Sequence, residues 1–523
     1  MSVFGKEFEK DWPLSEKTIK LTKFSQELLQ KCLKIEKPNK KEINIEEFIQ
    51  KSNKFPLKFP IDSCRVKSQP VERHADIQQQ IAWAYPLIHE KVLFLILDFL
   101  EHKLKYGTTR EKQLYANMGP TEFVQRLLSK RCASFVGFFD SYILISGETG
   151  CGEKYLKVGT DEEEAPLTLA NVLSYDEIKI SALLSVTSHT EFINDGARAN
   201  CGKIEEDLNK IEPSGVIVGL IGARFVRPNR MESEDIKIVK TQNTFENGYG
   251  ADTKNGNAKG LWQYLFPSKP LTPQIEKLQD YRLVWNKFYE ETDFLYQKVS
   301  VDNKRFEKTL KSKAIFDNLK MKKRFAISFD TLLLEAQQRA LRSNKYAYIH
   351  VVGIGLGVWL ETGQQEKVFM ESFQQRLKYL LPQLNNIGVV HLSWFHLNEW
   401  GDLKNEALFK SDKHPRGGIK ILMSKRNPND KLLPPYDNML PVVSYAWDGN
   451  ALPGNEFWKH CLASSNDPST ACSTLISELF NPHINTEYVN GNNLHIASLQ
   501  HGVIHIKDYV EQILKDQVIS EDE

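Results

Sequence analysis

Two strand-like runs, each broken by glycines and followed by a helical pattern, constrain the fold of this chain more than any other feature. The first is Lys345-Tyr-Ala-Tyr-Ile-His-Val-Val352, which runs into Gly353-Ile-Gly-Leu-Gly-Val-Trp359 and then into amphipathic spacing from Gln364 to Leu381. The second is Val442-Val-Ser-Tyr-Ala-Trp447, broken at Asp448-Gly449-Asn450 and again at Pro453-Gly454-Asn455, with Glu456 just ahead of the amphipathic Phe457 to Leu462. Strand, polar glycine-bearing loop and helix form the unit from which α/β proteins build ligand sites. The loop lies at the carboxyl end of a strand and its N–H groups face the ligand. Gly388-Val-Val-His-Leu-Ser-Trp-Phe395 and Ile419-Lys-Ile-Leu-Met423 read as further strands. The alternation predicts a largely parallel sheet with helices on its faces.

Upstream the pattern changes. Residues 1–130 carry helical apolar spacing over Ile19 to Ile35, Glu46 to Ser52 and a long stretch from Ile77 to Tyr106, with Lys37 to Lys41 as a linker. Arg131 to Ser146 reads as a strand pair round a turn, and Ser174 with Glu177 three residues on has capping-box spacing. Gly215-Val-Ile-Val-Gly-Leu-Ile-Gly222 reads as a buried strand whose glycines let another backbone approach. Residues 262–342 are charged and aromatic with helical spacing, as at Trp285, Phe288 and Tyr289. The expected organisation is an N-terminal helical region (1–130), a first part of an α/β domain (131–261), a helical insertion (262–342) and the second part of the α/β domain (343–523).

A net charge of +1 supplies no basic field for nucleic acid. The longest apolar run, Val92 to Leu97, is ended by Asp98, so no membrane span is expected. Seven scattered cysteines without C-x-x-C spacing argue for a reducing compartment, hence a cytoplasmic location, and against a disulfide framework. His391 and His396 have neither helix-face nor strand-face chelating spacing, and no metal is demanded. The polar tail from Gln517 to Glu523 is expected to fray.

The glycines at 353, 355 and 357 are spaced differently from the dinucleotide fingerprint, and no P-loop lysine follows. Alternating glycines between strand and helix turn successive N–H groups toward an anion, for which a diphosphate is the natural occupant. The alternative is close packing of helix on strand.

These residues resemble a known family. The strand His350-Val-Val352, the loop Gly353 to Trp359 and the strand Val389 to Phe395 are similar to the diphosphate loop of macrodomains, which are ADP-ribose-binding α/β modules. Ser444 to Glu456 resembles their other ligand loop, and the run to Leu479-Phe-Asn-Pro-His483 resembles a segment of poly(ADP-ribose) glycohydrolases. Together they resemble a family of macrodomain-like proteins that includes the Legionella effector MavL. Pro453-Gly-Asn455 stands where glycohydrolases have three glycines, Glu456 stands alone where they have paired glutamates, and the order of the two loops is permuted.

The resemblance implies an α/β macrodomain-like mixed sheet flanked by helices and a hydrolase that removes ADP-ribose from a modified protein. Gly353, Gly355, Leu356, Gly357, Val358 and Trp359 would take the diphosphate, and Gly449, Asn450 and Asn455 would line the ribose. Cleavage through an oxocarbenium-like transition state needs carboxyls. Asp448 would bind ribose or water, Glu456 would be general acid or base, and Asp467 is a third carboxyl that also sits in a helix-cap signal, Asn466-Asp467-Pro468. Asn194 and Asp195, on a polar loop with Arg198 and Asn200, would face a ligand or another loop. ADP-ribose is then ligand or product, with no cofactor required. The partner is an ADP-ribosylated protein, with no nucleic acid, and the N-terminal helices are free to dock a further protein. Kinship with an effector would place the protein in a host cell. Tyr445, Trp447, Phe457 and Trp458 are either adenine-stacking rings or core. Competing readings are an ADP-ribosyltransferase, using Ser185-Val-Thr-Ser188, Glu232-Ser-Glu234 and Arg224 or Arg227, a non-catalytic ADP-ribose reader, and a scaffold.

Overall fold

One mixed sheet organises the molecule, and its five adjacent parallel strands all end on the same edge. In chain order its strands are β1 (Tyr85–His89), β2 (Leu184–Glu191), β3 (Ser214–Ile221), β4 (Ala347–Val351), β5 (Ile387–Ser393), β6 (Leu408–Lys410), β7 (Gly418–Ser424), β8 (Leu440–Trp447), β9 (His495–Ser498) and β10 (Gly502–His505). Their order across the sheet is β6-β7-β5-β4-β8-β3-β2-β1-β9-β10. The strands β7, β5, β4, β8 and β3 run parallel, whereas β2 is antiparallel to both its neighbours. The structure is a computed structural model that describes residues 2–15, 20–38, 43–251 and 272–521. Ile19, the end of the Lys37–Lys41 linker, the 261/262 boundary and the last two residues of the tail lie outside these.

The central parallel strands β4 and β5 are buried at every residue, as expected of strands covered on both faces. One face packs against two long helices, α5 (Asn318–Arg342) and α6 (Gln365–Leu380), after four earlier helices used below: α1 (Glu90–Tyr106), α2 (Pro120–Ser129), α3 (Tyr175–Ser181) and α4 (Pro273–Tyr289). Phe325 and Phe329 of α5 meet Phe369 edge-on at 5.1 and 4.7 Å between ring centres, a favoured aromatic geometry. On the other face, Leu28, Leu29 and Phe48 from the N-terminal helices join Tyr445 and Trp447 of β8 in one apolar core. The N-terminal helices are therefore packed into the body of the protein through their apolar stripes.

The stretch Ile77 to Tyr106, which reads as one helix in the sequence, is a helix (His74–Ala82), the strand β1 and the helix α1. Every residue from Ala84 to His89 is buried, so the run has no alternation to distinguish strand from helix. The sheet supplies what the local pattern lacks: Leu87 to His89 pair parallel with His495 to Ala497, and Tyr85 to Ile88 pair antiparallel with β2. At the other end of the chain, the tail expected to fray continues as helix through Glu521.

Helix α5 is apolar only in part. Asp317 caps it, accepting from the N–H groups of Leu319 at 3.0 Å and Lys320 at 3.2 Å. Its buried charges are all engaged. Lys320 meets Asp293 at 3.1 Å, Asp330 meets Arg376 at 2.6 Å, and Glu335 meets Arg339 at 2.6 Å. Arg324 reaches furthest: its Nη2 donates to the carbonyls of Ala182 (2.8 Å) and Ile221 (2.9 Å), and its Nε donates to Glu232 at 3.1 Å. Those carbonyls stand just before β2 and at the end of β3, where the sheet ladder stops.

Removing one partner of such a buried set leaves the others desolvated and unpaired. Arg324→Met is expected to lower the unfolding free energy by about 3–5 kcal/mol, read from urea unfolding. The exposed Arg342→Met on the same helix is expected to stay within about 0.5 kcal/mol of the native protein.

Candidate active site

The carboxyl edge of the parallel strands carries both glycine-bearing loops. Strand β8 ends at Trp447 and the chain turns through Asp448, Gly449 and Asn450 into a short 3-10 turn, Asn455–Lys459, and then helix α7 (Asn466–Ala471). Asp448 is buried and receives Arg224 Nη1 on both oxygens, at 3.0 and 3.2 Å. Arg224 follows the end of β3, and its own N–H donates to Glu232 at 3.1 Å. Gly449 backs against Ala182, and its carbonyl accepts from Ser181 Oγ at 2.7 Å. Asn450 donates to Tyr155 Oη at 3.1 Å, and its buried Oδ1 has no partner among the described residues. Asn455 accepts from Ser134 Oγ at 3.0 Å and Phe135 N at 2.8 Å, which fixes a hairpin to this loop.

Three carboxyls converge on this turn. Asp467 Oδ1 accepts from the Tyr445 hydroxyl and from Gly454 N at 2.9 Å, so it clamps the turn that presents Glu456. Glu456 is half-buried and accepts from Ser465 Oγ at 3.3 Å. Burial raises the proton affinity of all three groups. Arg224 opposes the rise at Asp448, while the Asp448 charge adds to it at Glu456. Asp467 is pushed well above the usual carboxylate range by burial and then by Glu456. Behind Asp448, burial lowers Arg131 to about 9 against the pull of Asp448, and its guanidinium lies 4.7 Å over the Trp447 ring.

The second loop leaves β4. Gly355 has φ 74°, a conformation that favours glycine. A Cβ on Gly222, at the end of β3, would stand 2.8 Å from Gly355 N and 2.9 Å from its Cα, so the two backbones touch. This is the close approach expected from the glycines of that strand. Among the described residues the N–H groups of Gly355, Gly357, Val358 and Trp359 have no acceptor, and Gly357 and Val358 are exposed. Gly353 and Leu356 line the same turn, with Leu356 N bonded back to Gly353 O at 3.1 Å. Trp359 is half-buried against the core. Free N–H groups on a glycine turn form an anion cradle.

Other candidates lie elsewhere in the bonding pattern. Asn194 donates to the carbonyls of Lys203 (2.9 Å) and Cys472 (3.0 Å), and Asp195 accepts from Ala197 N and Asn427 Nδ2. Both spend their polar atoms joining one loop to two others. Tyr445, Trp447, Phe457 and Trp458 are buried in the core, the second of the two readings open to them. The residues of the transferase reading are also spent: Ser188 Oγ donates to Gln80 O at 2.6 Å, Glu232 holds Arg224 and Arg324, and Glu234 holds Lys179 at 2.8 Å. Among the described residues no group of three or more His, Cys, Asp or Glu side chains is arranged to hold a metal ion, and no helix is long and apolar enough to cross a membrane.

Sequence reasoning singled out Arg224 for another chemistry and missed Gly222, Ser181 and Arg131 as neighbours of the site. The triplet Gly222-Ala-Arg224 links the loops, with Gly222 against Gly355 and Arg224 against Asp448. Its only local signal is the glycine closing an apolar strand.

Two outcomes follow from this geometry. Gly222→Ala puts a methyl where the glycine loop stands, and is expected to weaken ADP-ribose binding at least about tenfold in calorimetry, a loss of about 1.4 kcal/mol. Asp467 holds its proton above the pH at which the unfolded chain loses it, so stability falls as pH rises from the usual carboxylate range toward its raised folded value. Asparagine keeps the acceptor for Tyr445 and Gly454 and has no proton to lose. Asp467→Asn is expected to melt above the native protein, by a margin that widens as pH rises above the usual carboxylate range.

Known proteins bear on this site. The family described as ADP-ribosylhydrolase MavL-like matches residues 46–512. The Drosophila melanogaster ADP-ribosylarginine hydrolase CG3568 is 52% identical over 504 residues, covering 96% of this chain and 95% of its own. The Drosophila melanogaster ADP-ribosylarginine hydrolase CG2909 is 50% identical over 519 residues, covering 99% of each. They give no support to the transferase reading. The chain belongs to the MavL-like ADP-ribosylhydrolase family and is a hydrolase that removes ADP-ribose from modified protein.

Proposed function

We propose that the bond cleaved joins the ribose C1 of ADP-ribose to a guanidine nitrogen of arginine, and that the two loops divide the substrate between them. The reading is carried by the Gly222-Ala-Arg224 bridge, which holds an anion cradle and a carboxylate cluster at adjoining positions. The diphosphate lies on the free N–H groups of Gly355, Gly357, Val358 and Trp359, and the ribose lies over Asp448 and Glu456. Two relatives with half or more of their residues in common are named for arginine-linked ADP-ribose, which supports the choice of linkage.

The chemistry suits that leaving group. A guanidine departs well only if it is protonated as the bond breaks, because its neutral form is strongly basic. Glu456 is half-buried and raised in proton affinity, the direction a general acid needs. As the C1–N bond breaks, its electron pair goes to nitrogen, and Glu456 delivers a proton there to give guanidinium. Asp448, kept in place by Arg224, faces the positive charge that develops on the ribose. Water adds to C1, and its proton returns to Glu456. Asp467 sets the turn through Gly454, and the Asp448 charge helps Glu456 keep its proton. No step calls on a group from outside the chain other than water and substrate.

The test is release of free ADP-ribose, followed by mass spectrometry, from polypeptides ADP-ribosylated on arginine, serine or glutamate. Release from the arginine conjugate alone, with kcat lowered about 10²–10⁴-fold in Glu456→Gln, is the expected result. Release confined to the serine or glutamate conjugate overturns the linkage, and unchanged kcat in Glu456→Gln overturns its role.

A further inference from the structure

A hairpin beside the carboxylates ends in an apolar, open tip. Ser134–Val136 pairs antiparallel with Ser141–Ile143, and the turn between them is Gly137-Phe138-Phe139-Asp140. Phe138 is 68% exposed and Phe139 76%, while Phe135 at the base is buried with its ring 4.7 Å from the Arg224 guanidinium. Two adjacent exposed aromatic rings are unfavourable in water and mark contact surfaces more often than scattered apolar residues do.

The tip is firmly mounted. Asp140 has φ 49° and is buried, and its carboxylate accepts from Tyr175 Oη at 2.6 Å and from the Arg227 guanidinium. A non-glycine residue in the left-handed region persists only where its surroundings hold it there. Lys459 Nζ donates to Ser141 Oγ at 2.8 Å, and Asn455 grips the base at Ser134 and Phe135. The rings therefore ride on a support joined to the residues on either side of Glu456. Rigid aromatic anchors of this kind lose little conformational entropy when covered.

The mounting also identifies the end of the substrate they meet. Every contact above runs to the carboxylate loop, to α3 or to Arg224 and Arg227. The adenosine end is carried off by the glycine loop after β4, which lies across β8 from β3 and β2. The hairpin is bonded to the loop that carries Glu456, the loop assigned above to the bond that is cut. We infer that Phe138 and Phe139 form a docking point for the polypeptide that bears the ADP-ribosyl group, covering an apolar side chain next to the modified arginine. This rests on the assignment of Asp448 and Glu456 to the scissile bond.

The test compares two conjugates of one linkage: an ADP-ribosylated arginine peptide with apolar neighbours, and ADP-ribosylagmatine, which has no polypeptide. F138S/F139S is expected to raise KM for the peptide at least about tenfold with kcat within about twofold, and to leave the agmatine conjugate unchanged. F138L/F139L, which keeps apolar bulk, is expected to recover most of the peptide KM. Thermal melting confirms that the variants fold. Equal loss on both conjugates, or no change on either, overturns the docking point. If the native enzyme cleaves neither conjugate, the arginine linkage falls instead, and the same pair of measurements on serine-linked conjugates, with and without polypeptide, decides the docking point separately.

Discussion

Arg324 is the interaction on which the site depends. A single guanidinium under the sheet edge satisfies the Ala182 and Ile221 carbonyls and holds Glu232. Glu232 in turn receives Arg224 N, and Arg224 holds Asp448. The reach from helix α5 to the candidate catalytic loop is thus a chain of charge-assisted hydrogen bonds, each stronger than a neutral one and geometrically fixed. Carbonyls at the end of a ladder must find donors or be solvated. Water there would compete with a ligand, whereas a buried arginine satisfies them and leaves the surface above free.

The same edge carries an opposing cost. Asp448, Glu456 and Asp467 share a partly buried turn, and among the described residues only one arginine bonds directly to any of them. Grouped carboxyls hold protons that isolated ones would release, which is unfavourable for folding at neutral pH and useful for protonating a leaving group. The Tyr445–Asp467–Gly454 contacts keep this arrangement from relaxing, because they fasten the turn to the core strand β8. Local instability at the site is offset by the apolar packing on both faces of the sheet.

Much of this was legible beforehand because it is written locally. The runs at 347–351 and 440–447 became parallel strands with glycine loops at their carboxyl ends, and Ser174 capped its helix through Glu177. What escaped was written at a distance. Strand β1 lay hidden in an unbroken apolar run, and only its partners β2 and β9 distinguish it from helix. Arg224 gave no local sign of serving Asp448, which is 224 positions away in the chain. Asn194 and Asp195 read as a polar cluster facing a ligand or another loop, and the bonds the structure shows for them run to other loops. A polar residue in a loop announces that it needs a partner without announcing which.

Strand β1 has a consequence for how the protein is made. Its parallel partner β9 begins at His495, so this flank of the sheet cannot close until that distant segment has left the ribosome. Until then β1 presents an open edge of bonding groups, flanked by the apolar helix α1, on a nascent chain that other strands could seize. Sheet closure across more than four hundred residues is slow by its topology. The edge of β1 thus stays unpaired on that side for as long as β9 is unmade, a cost in exposure that the finished fold no longer shows.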